Sequence, residues 1–334
     1  MSGPAPWLPW PLAEAASWVY GRAIAGRNRR YDRTGGRRLP VPVISVGNIT
    51  VGGTGKTPFV RHLAAMLLQR GREPVIAMRG YGSRGGMSDE QAEYAEDLPQ
   101  VDVVADPDRF TAVSAYLAHH PQTSCVILDD GFQHRQLHRD LDLVLVSARQ
   151  PPAEQRLLPA GYLREPATSL RRADAVIVTH TQQIDPRLAQ MITDLHGRAP
   201  LAWSRHVWHG LRLFDAERGQ TEAPAEWLTG RKVVTLLGVA QPQGILDQLA
   251  AEGASIAAHI AARDHERYSS AKLGRLWSAA ADADAVVLTG KDWVKVREVI
   301  DWRTCPAPIV VPEVSIEILD GREALEARVL AAVG

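Results

Sequence analysis

Cysteine is nearly missing from this chain. Cys125 and Cys305 are the only two in 334 residues. They offer neither a zinc-ligand spacing nor a disulfide framework. Cys125 lies in an apolar run and reads as a small buried hydrophobe, which fits a reducing compartment. Net charge is missing too: 38 Lys and Arg balance 38 Asp and Glu. No global basic field is present to draw the chain onto nucleic acid, and no nucleic-acid partner is expected. No apolar run approaches the roughly 18 to 20 residues of a membrane-spanning helix. The amino end lacks a basic start before an apolar core, and Pro4, Pro6, Pro9 and Pro11 interrupt it, so a secretory signal is not expected there. Neither a solenoid-type repeat nor a low-complexity tract is found. What the chain does hold is core material. Hydrophobic residues make up 45% and charged residues 23%, a globular balance in a length that suits two α/β domains.

The most informative stretch runs from Val43 to Val60. Val43, Ile44 and Val46 read as a buried parallel strand. A glycine-rich turn follows, then Gly55-Lys56-Thr57, then a helical pattern through Phe59, Leu63, Met66 and Leu67. Strand, glycine turn, Gly-Lys-Thr and helix are the context of a phosphate loop over Thr50, Val51, Gly52, Gly53, Thr54, Gly55, Lys56 and Thr57. Glycines let backbone N–H groups curl around a phosphate chain, and the helix start adds its dipole. Lys56 would neutralise the outer phosphates, and the Thr57 hydroxyl would bind Mg²⁺. Thr50 stands where the usual pattern has its first Gly, with Gly52 and Gly53 supplying flexibility instead. A plain strand-to-helix turn with a surface Lys would need less of this context.

Further strands are predicted at 74–78, 101–105, 126–128, 141–146 and 175–179, with a helix over 107–118. The alternation argues a doubly wound, mostly parallel sheet flanked by helices. Asp129 and Asp130 close the fourth strand, where a carboxylate can hold Mg²⁺ directly or through water; a polar turn is the simpler alternative. Arg79-Gly80-Tyr81-Gly82 opens a glycine-rich loop that leads to Ser88, a helix N-cap, and to Asp89 and Glu90. Asp89 could serve as a base beside a phosphate loop, or could simply complement a helix dipole.

The pattern changes after residue 200. Residues 201–213 read as extended connecting strands, and a second, smaller α/β set follows. Its strands are predicted at 232–239, 255–262, 285–289 and 309–311, and its helices at 243–251 and 269–281. Three parts result: 1–38, 39–200 and 201–334. In the first part a helix starts at Leu12, with Leu12, Ala16, Val19, Ala23 and Ile24 on one face, flanking Trp residues and an arginine cluster from Arg22 to Arg38. That combination suits either an amphipathic helix lying in a membrane surface or a helix packed on the domain with a basic edge.

Taken together, S-V-G-N-I-T-V-G-G-T-G-K-T-P at 45–58, R-G-Y-G at 79–82, D-D-G-F-Q-H at 129–134, R-L-L-P-A-G-Y-L-R-E-P at 156–166, D-H-x-x-Y at 264–268 and T-G-K-D-W-V-K at 289–295 resemble the tetraacyldisaccharide 4′-kinases, the lipid A 4′-kinases of Gram-negative bacteria. The resemblance runs from Trp7 to the last strand and includes the Thr50 form of the loop. It implies a phosphate-loop NTPase-type fold and transfer of the ATP γ-phosphoryl to the 4′-hydroxyl of an acylated glucosamine disaccharide 1-phosphate. The site implied is the cytoplasmic face of the inner membrane, with the enzyme attached peripherally through its amino-terminal helix. It also implies roles. Residues 50–57 hold ATP, with Lys56 on the phosphates. Thr57, Asp129 and Asp130 serve Mg²⁺, and Asp89 is the base. His265 orients a metal-site Asp across the domain cleft. Gln133, His134, Arg164 and Glu165 line the acceptor side. Two departures stand out: Gly and Pro are missing around Asp89, and Gly290 replaces the usual Glu. No protein partner is implied. The rival readings are a phosphate-loop enzyme on a soluble small molecule, of the dethiobiotin-synthetase type, and a membrane-docking nucleotide switch of the partitioning-ATPase type.

Overall fold

The computed structural model describes residues 9–80, 88–217, 219–239, 242–262, 266 and 268–334. The chain opens with α1 (Trp10–Thr34), which has proline at its start. It continues through β1 (Val43–Asn48), α2 (Lys56–Gln69), β2 (Pro74–Met78), α3 (Asp89–Asp97), β3 (Val103–Ala105) and α4 (Arg109–His119). Next come β4 (Cys125–Asp129), β5 (Leu141–Ser147), β6 (Ala175–Thr179), α5 (Pro186–His196), β7 (Ala202–Asp215) and β8 (Gly219–Ala223). The last part holds β9 (Lys232–Leu237), α6 (Gln243–Ala251), β10 (Ser255–Ala261), α7 (Ser270–Ala279), β11 (Ala285–Leu288), α8 (Gly290–Val296), β12 (Ile309–Asp320) and α9 (Arg322–Val333).

The chain forms two compact units. Unit 1 contains Met1–Gly80, Asp97–His206 and Ile316–Gly334; unit 2 contains Tyr81–Glu96 and Val207–Ser315. A single cut near 200 does not describe this division. The chain crosses at α3 and again along β7 and β12, strands that each contribute residues to both units. The residues expected as several connecting strands at 201–213 form the single strand β7, and the strand expected at 309–311 extends to Asp320.

In unit 1 the strands run β3-β2-β4-β1-β5-β6-β7, each pairing parallel with its neighbour. Parallel neighbours need crossovers, and helices supply most of them. Every residue of β1 is buried, as is every residue of β4 and β5. That is why these segments read as continuous apolar runs rather than alternating ones. Ile49, Phe132, Val144, Val176, Ile192 and Trp203 pack on one side of the core, and Val43, Val75, Val113, Val126 and Leu137 form a second cluster. In unit 2, β10-β9-β11-β12 are parallel and β7 pairs antiparallel with β8. Phe214 stacks on Trp293 at 4.1 Å between ring centres within its core.

Helix α1 packs on unit 1 by its polar side. Ser17 Oγ donates to the Leu157 carbonyl at 2.9 Å and accepts from the Ala160 N–H at 3.0 Å. The Tyr20 hydroxyl donates to the Arg164 carbonyl at 2.8 Å, and Asn28 Nδ2 donates to Glu165 Oε2 at 2.7 Å. Ala13 is the one fully buried residue of the helix. Leu12, Trp18 and Val19 are exposed by 58%, 66% and 60%. The apolar face expected to include Leu12 and Val19 therefore points outward at these two positions, the opposite of a helix that buries its apolar stripe in a core.

Candidate functional site

The site is built at the carboxyl ends of β1, β4, β5 and β6, where open parallel sheets present their functional groups. Leaving β1, the chain makes an isolated antiparallel bridge between Thr50 and Leu163. The Val51 N–H donates to the Tyr162 carbonyl at 2.7 Å, and the Arg164 N–H to the Ile49 carbonyl at 2.8 Å. The segment 156–166 is thus a strap laced to the start of the phosphate loop. This pairing explains Thr50. A bridge residue sits in extended backbone, and Thr50, 5% exposed, does not adopt positive φ, so glycine has no advantage there.

The loop is pinned on both flanks. Asn48 Nδ2 donates to Thr54 Oγ1 at 2.8 Å, and Thr179 Oγ1, from the end of β6, donates to the Thr54 carbonyl at 2.9 Å. Gly55 then starts α2 with φ 81° and ψ 27°. A Cβ there would stand 2.5 Å from His206 Nε2, so both the conformation and the neighbour require glycine. Lys56 and Thr57 follow as the first residues of α2.

The turn after β4 brings the second set of groups. Asp129 ends the strand in register with Val46 of β1 and is 6% exposed. Asp130 takes φ 51°, uncommon for a non-glycine residue, and its carboxylate is the centre of the cluster. Lys56 Nζ lies 3.4 Å from Asp130 Oδ1. Arg164 Nη1, from the strap, donates to both oxygens at 2.9 and 2.7 Å. Arg109, almost fully buried in α4, places Nη1 3.4 Å from the Asp130 carbonyl. Burial pushes the Asp130 carboxyl up, but Lys56 and Arg164 outweigh it and hold the group down at about 2.

Gln133 and His134 complete the turn. Gln133 Nε2 donates to the Asn48 carbonyl at 2.8 Å, and its Oε1 lies 3.4 Å from Arg164 Nη1. Burial, with Arg109 and Arg139 nearby, lowers His134 to about 4, so its ring is neutral at pH 7. His134 Nε2 is buried and makes no hydrogen bond among the described residues.

Glu165 differs from the acceptor-lining role expected of it. It is fully buried and already engaged: Arg172 reaches its two oxygens at 3.0 and 3.2 Å, Asn28 bonds one of them, and Arg27 lies 3.7 Å away. Burial raises its carboxyl, yet Arg172 and the Asn28 hydrogen bond leave it below the ordinary carboxylate value. It ties α1 and the strap together from within.

Unit 1 therefore gathers residues 50–57, Asp129, Asp130, Gln133, His134 and Arg164 in one place. Asp89 is the first residue of α3 and belongs to unit 2. Its helix begins as the sequence suggests, with Ser88 Oγ accepting from the Gln91 N–H and Gln91 Oε1 accepting from the Ser88 N–H, both at 3.2 Å. His265 lies outside the described residues, as do Tyr81 and Gly82 of the R-G-Y-G motif. Among the described residues no three His, Cys, Asp or Glu stand together as a metal cage.

Sequence reasoning misses a histidine pair beside the loop. His180 follows β6 with φ 56°, and its Nδ1 lies 3.1 Å from Ser147 Oγ at the end of β5. Its ring meets that of His206 edge-on at 4.3 Å between centres. Burial lowers His180 to about 3 and His206 to about 4, so both are neutral donors or acceptors near pH 7. The place of His180 at a strand end is readable in sequence. His206 lies inside a long strand and gives no such sign.

Known proteins are similar to this chain over most of its length. The family model of the tetraacyldisaccharide-1-P 4′-kinases, LpxK, matches residues 8–334. The tetraacyldisaccharide 4′-kinase of Geobacter sulfurreducens is 37% identical over 297 residues, spanning 83% of this chain and 81% of that protein. The enzyme of the same name from Anaeromyxobacter sp. strain K is 39% identical over 360 residues, 97% of this chain and 90% of its own. Among solved structures, the "apo" form of LpxK from Aquifex aeolicus in complex with ATP superposes with a TM-score of 0.69 at 27% identity, covering 96% of this chain and 98% of that one. With the phosphate loop, the paired aspartates and the strap all in place, this chain belongs to the tetraacyldisaccharide-1-P 4′-kinase family, the kinases of lipid A biosynthesis.

Proposed function

We propose that the cluster around Asp130 is where ATP is held and where its γ-phosphoryl leaves for the 4′-hydroxyl of a tetraacyldisaccharide 1-phosphate. One observation carries this reading: a single carboxylate is held at once by Lys56 of the phosphate loop and by Arg164 of the strap. An anion between two cations keeps both side chains extended and ready for a phosphate chain, at low reorganisation cost. Residues 50–57 wrap the phosphates with backbone N–H groups, and the start of α2 supplies its dipole. Gln133 and His134, on the same turn as Asp130, orient the acceptor together with Arg164. Glu165 supports them by holding the strap.

The donor set suits Mg²⁺. The Asp129 carboxylate and the Thr57 hydroxyl are hard oxygen donors, and Mg²⁺ takes few protein ligands beside phosphate and water. Asp130 would stand behind them, its charge balanced by Lys56 and Arg164. The ion would supply neutralisation of the charge carried by the transferring phosphoryl group. Asp89 accepts the proton of the attacking hydroxyl late in the reaction, and His265 orients one of the aspartates. Asp89→Asn and His265→Ala are each expected to lower kcat; unchanged kcat in either variant removes that residue from its role.

The exposed Leu12, Trp18 and Val19 of α1, with Arg22 over the Trp18 ring at 5.2 Å, support peripheral docking on the cytoplasmic face of the inner membrane, where an acylated acceptor resides. Among the described residues no helix is long and apolar enough to cross a membrane. Exchanging Leu12, Trp18 and Val19 for Ser is expected to weaken binding to anionic liposomes while ATP binding is kept; undiminished liposome binding rejects the docking role. The experiment for the reaction itself is mass spectrometry of a tetraacyldisaccharide 1-phosphate after incubation with Mg-ATP. One added phosphate at the 4′ position is expected. ATP hydrolysis that ignores the acceptor would favour a nucleotide switch instead.

A further inference from the structure

Helix α3 lies in sequence between β2 and β3, two neighbouring strands of unit 1, yet residues up to Glu96 belong to unit 2. Glu90, Glu93 and Glu96 are spaced i, i+3, i+6, which places them along one face of a helix. That face meets the segment from Gly290 to Arg297. Glu90 Oε1 lies 3.7 Å from Lys291 Nζ. Glu93 Oε1 lies 3.5 Å from where a Cβ on Gly290 would stand. Glu96 divides its oxygens between two arginines: Oε1 takes Nη1 of Arg212 in β7, and Oε2 takes Nη1 of Arg297 at 2.7 Å. Arg212 is 9% exposed, and its Nε also lies 3.8 Å from Glu313 Oε1. The next residue, Asp97, belongs to unit 1 and pairs there with Arg61 of α2. The chain thus passes between units across one peptide.

Exposed ion pairs contribute little, but a carboxylate shared by two guanidinium groups, one of them nearly buried, is a different case. Without Glu96, Arg212 keeps its burial and loses one carboxylate partner, and Arg297 loses the same one. We propose that Glu96, Arg212 and Arg297 are positioning residues that seat α3 on unit 2, and that this seating sets the place of Asp89 at the first turn of the helix. The effect on turnover rests on the reading of Asp89 as the proton acceptor; the seating itself does not. Gly290 borders the same contact: a Cβ there would meet Glu93 at ordinary van der Waals distance, so a carboxylate placed at 290 would stand beside that of Glu93.

The test combines amide hydrogen exchange with steady-state kinetics on full-length Glu96→Gln, Glu96→Asp and Gly290→Glu. Glu96→Gln is expected to speed exchange across 88–97 roughly tenfold. It should also lower kcat about tenfold or more, with the KM for ATP changed less than about twofold. Glu96→Asp, which keeps the charge, should retain most of both properties. Gly290→Glu, which sets a carboxylate against Glu93, should loosen the same segment without touching Arg212. Unaltered exchange over 88–97 in both Glu96→Gln and Gly290→Glu overturns the proposal. So does a KM for ATP that rises in step with the fall in kcat. Loosened exchange with kcat intact, alongside an Asp89→Asn enzyme of full activity, overturns the link to turnover and traces that failure to the base assignment.

Discussion

Arg164 places one terminal nitrogen 2.7 and 2.9 Å from the two carboxylate oxygens of Asp130. Lys56 approaches the same group at 3.4 Å. The Asp130 carboxyl falls from its usual 3.8 to about 2 in the folded protein. A depressed carboxyl stabilises the fold above its unfolded pKa and loses that contribution as pH falls through the folded one. Arg164→Ala should therefore lower stability at pH 7 by about 1 kcal/mol, a discounted value because the Asp130 side chain is 31% exposed. The gap should narrow below pH 4 and close only once pH falls below the folded value of about 2. Denaturant unfolding at pH 7 and pH 3 measures it.

Gly55 and His206 make a steric pair. Gly55→Ala meets His206 Nε2 at 2.5 Å and strains φ at 81°. A loss of roughly 1 to 3 kcal/mol in stability is expected, with weakened ATP binding. Adding His206→Ala should recover the steric part but not the backbone part. A double-mutant cycle in Tm and ATP affinity that shows strict additivity would contradict the contact.

Three histidines share one pH signature. His134, His180 and His206 are lowered to about 4, 3 and 4 by burial first, and then by neighbouring cations, with His206 itself adding to the effect on His180. The unfolded chain binds protons at these positions more readily than the folded one. Stability should thus fall as pH drops from about 6.5 toward 4, by on the order of 1 kcal/mol per histidine at pH 5 after allowance for partial exposure. Replacing all three by Gln should flatten that part of the pH–stability profile, as read by urea midpoints between pH 7.5 and 5.

Glu165 predicts a separation of stability from substrate affinity. Glu165→Gln removes the buried negative charge that Arg172 and Arg27 share, at a cost of about 3 kcal/mol. The first readout should be protease sensitivity of α1 and a lower Tm. An unchanged Tm with a raised KM for the acceptor would place Glu165 against the substrate instead.

Local signals made the phosphate-loop half of the molecule readable. The buried run of β1, the glycines before Lys56 and the acids ending β4 are all written within a few residues. The strap became meaningful through resemblance, because its pairing with Thr50 spans more than a hundred residues. Helix α5 carries full local punctuation, with Asp185 as cap, Pro186 in the first turn and Gly197 at the end, yet it follows a polar stretch that hides its start. The packed side of α1 was not legible. Ser17, Tyr20 and Asn28 look like surface residues until their partners at 157, 164 and 165 are known. The division into units was hidden for the same reason: the seating of α3 depends on Arg212 and Arg297, far along the chain.

Helix α1 and the charge cluster share a short piece of backbone. Tyr20 bonds the carbonyl of Arg164, Asn28 bonds the carboxylate of Glu165, and the Arg164 side chain grips Asp130. The helix therefore acts as a depth gauge. On the docking proposed for Leu12, Trp18 and Val19, the carboxylate that faces Lys56 would be held at a set height beneath the receiving surface, through one side chain and one peptide. Insertions or deletions between α1 and the phosphate loop would leave that height unchanged, because the gauge runs through the strap and not through the intervening chain.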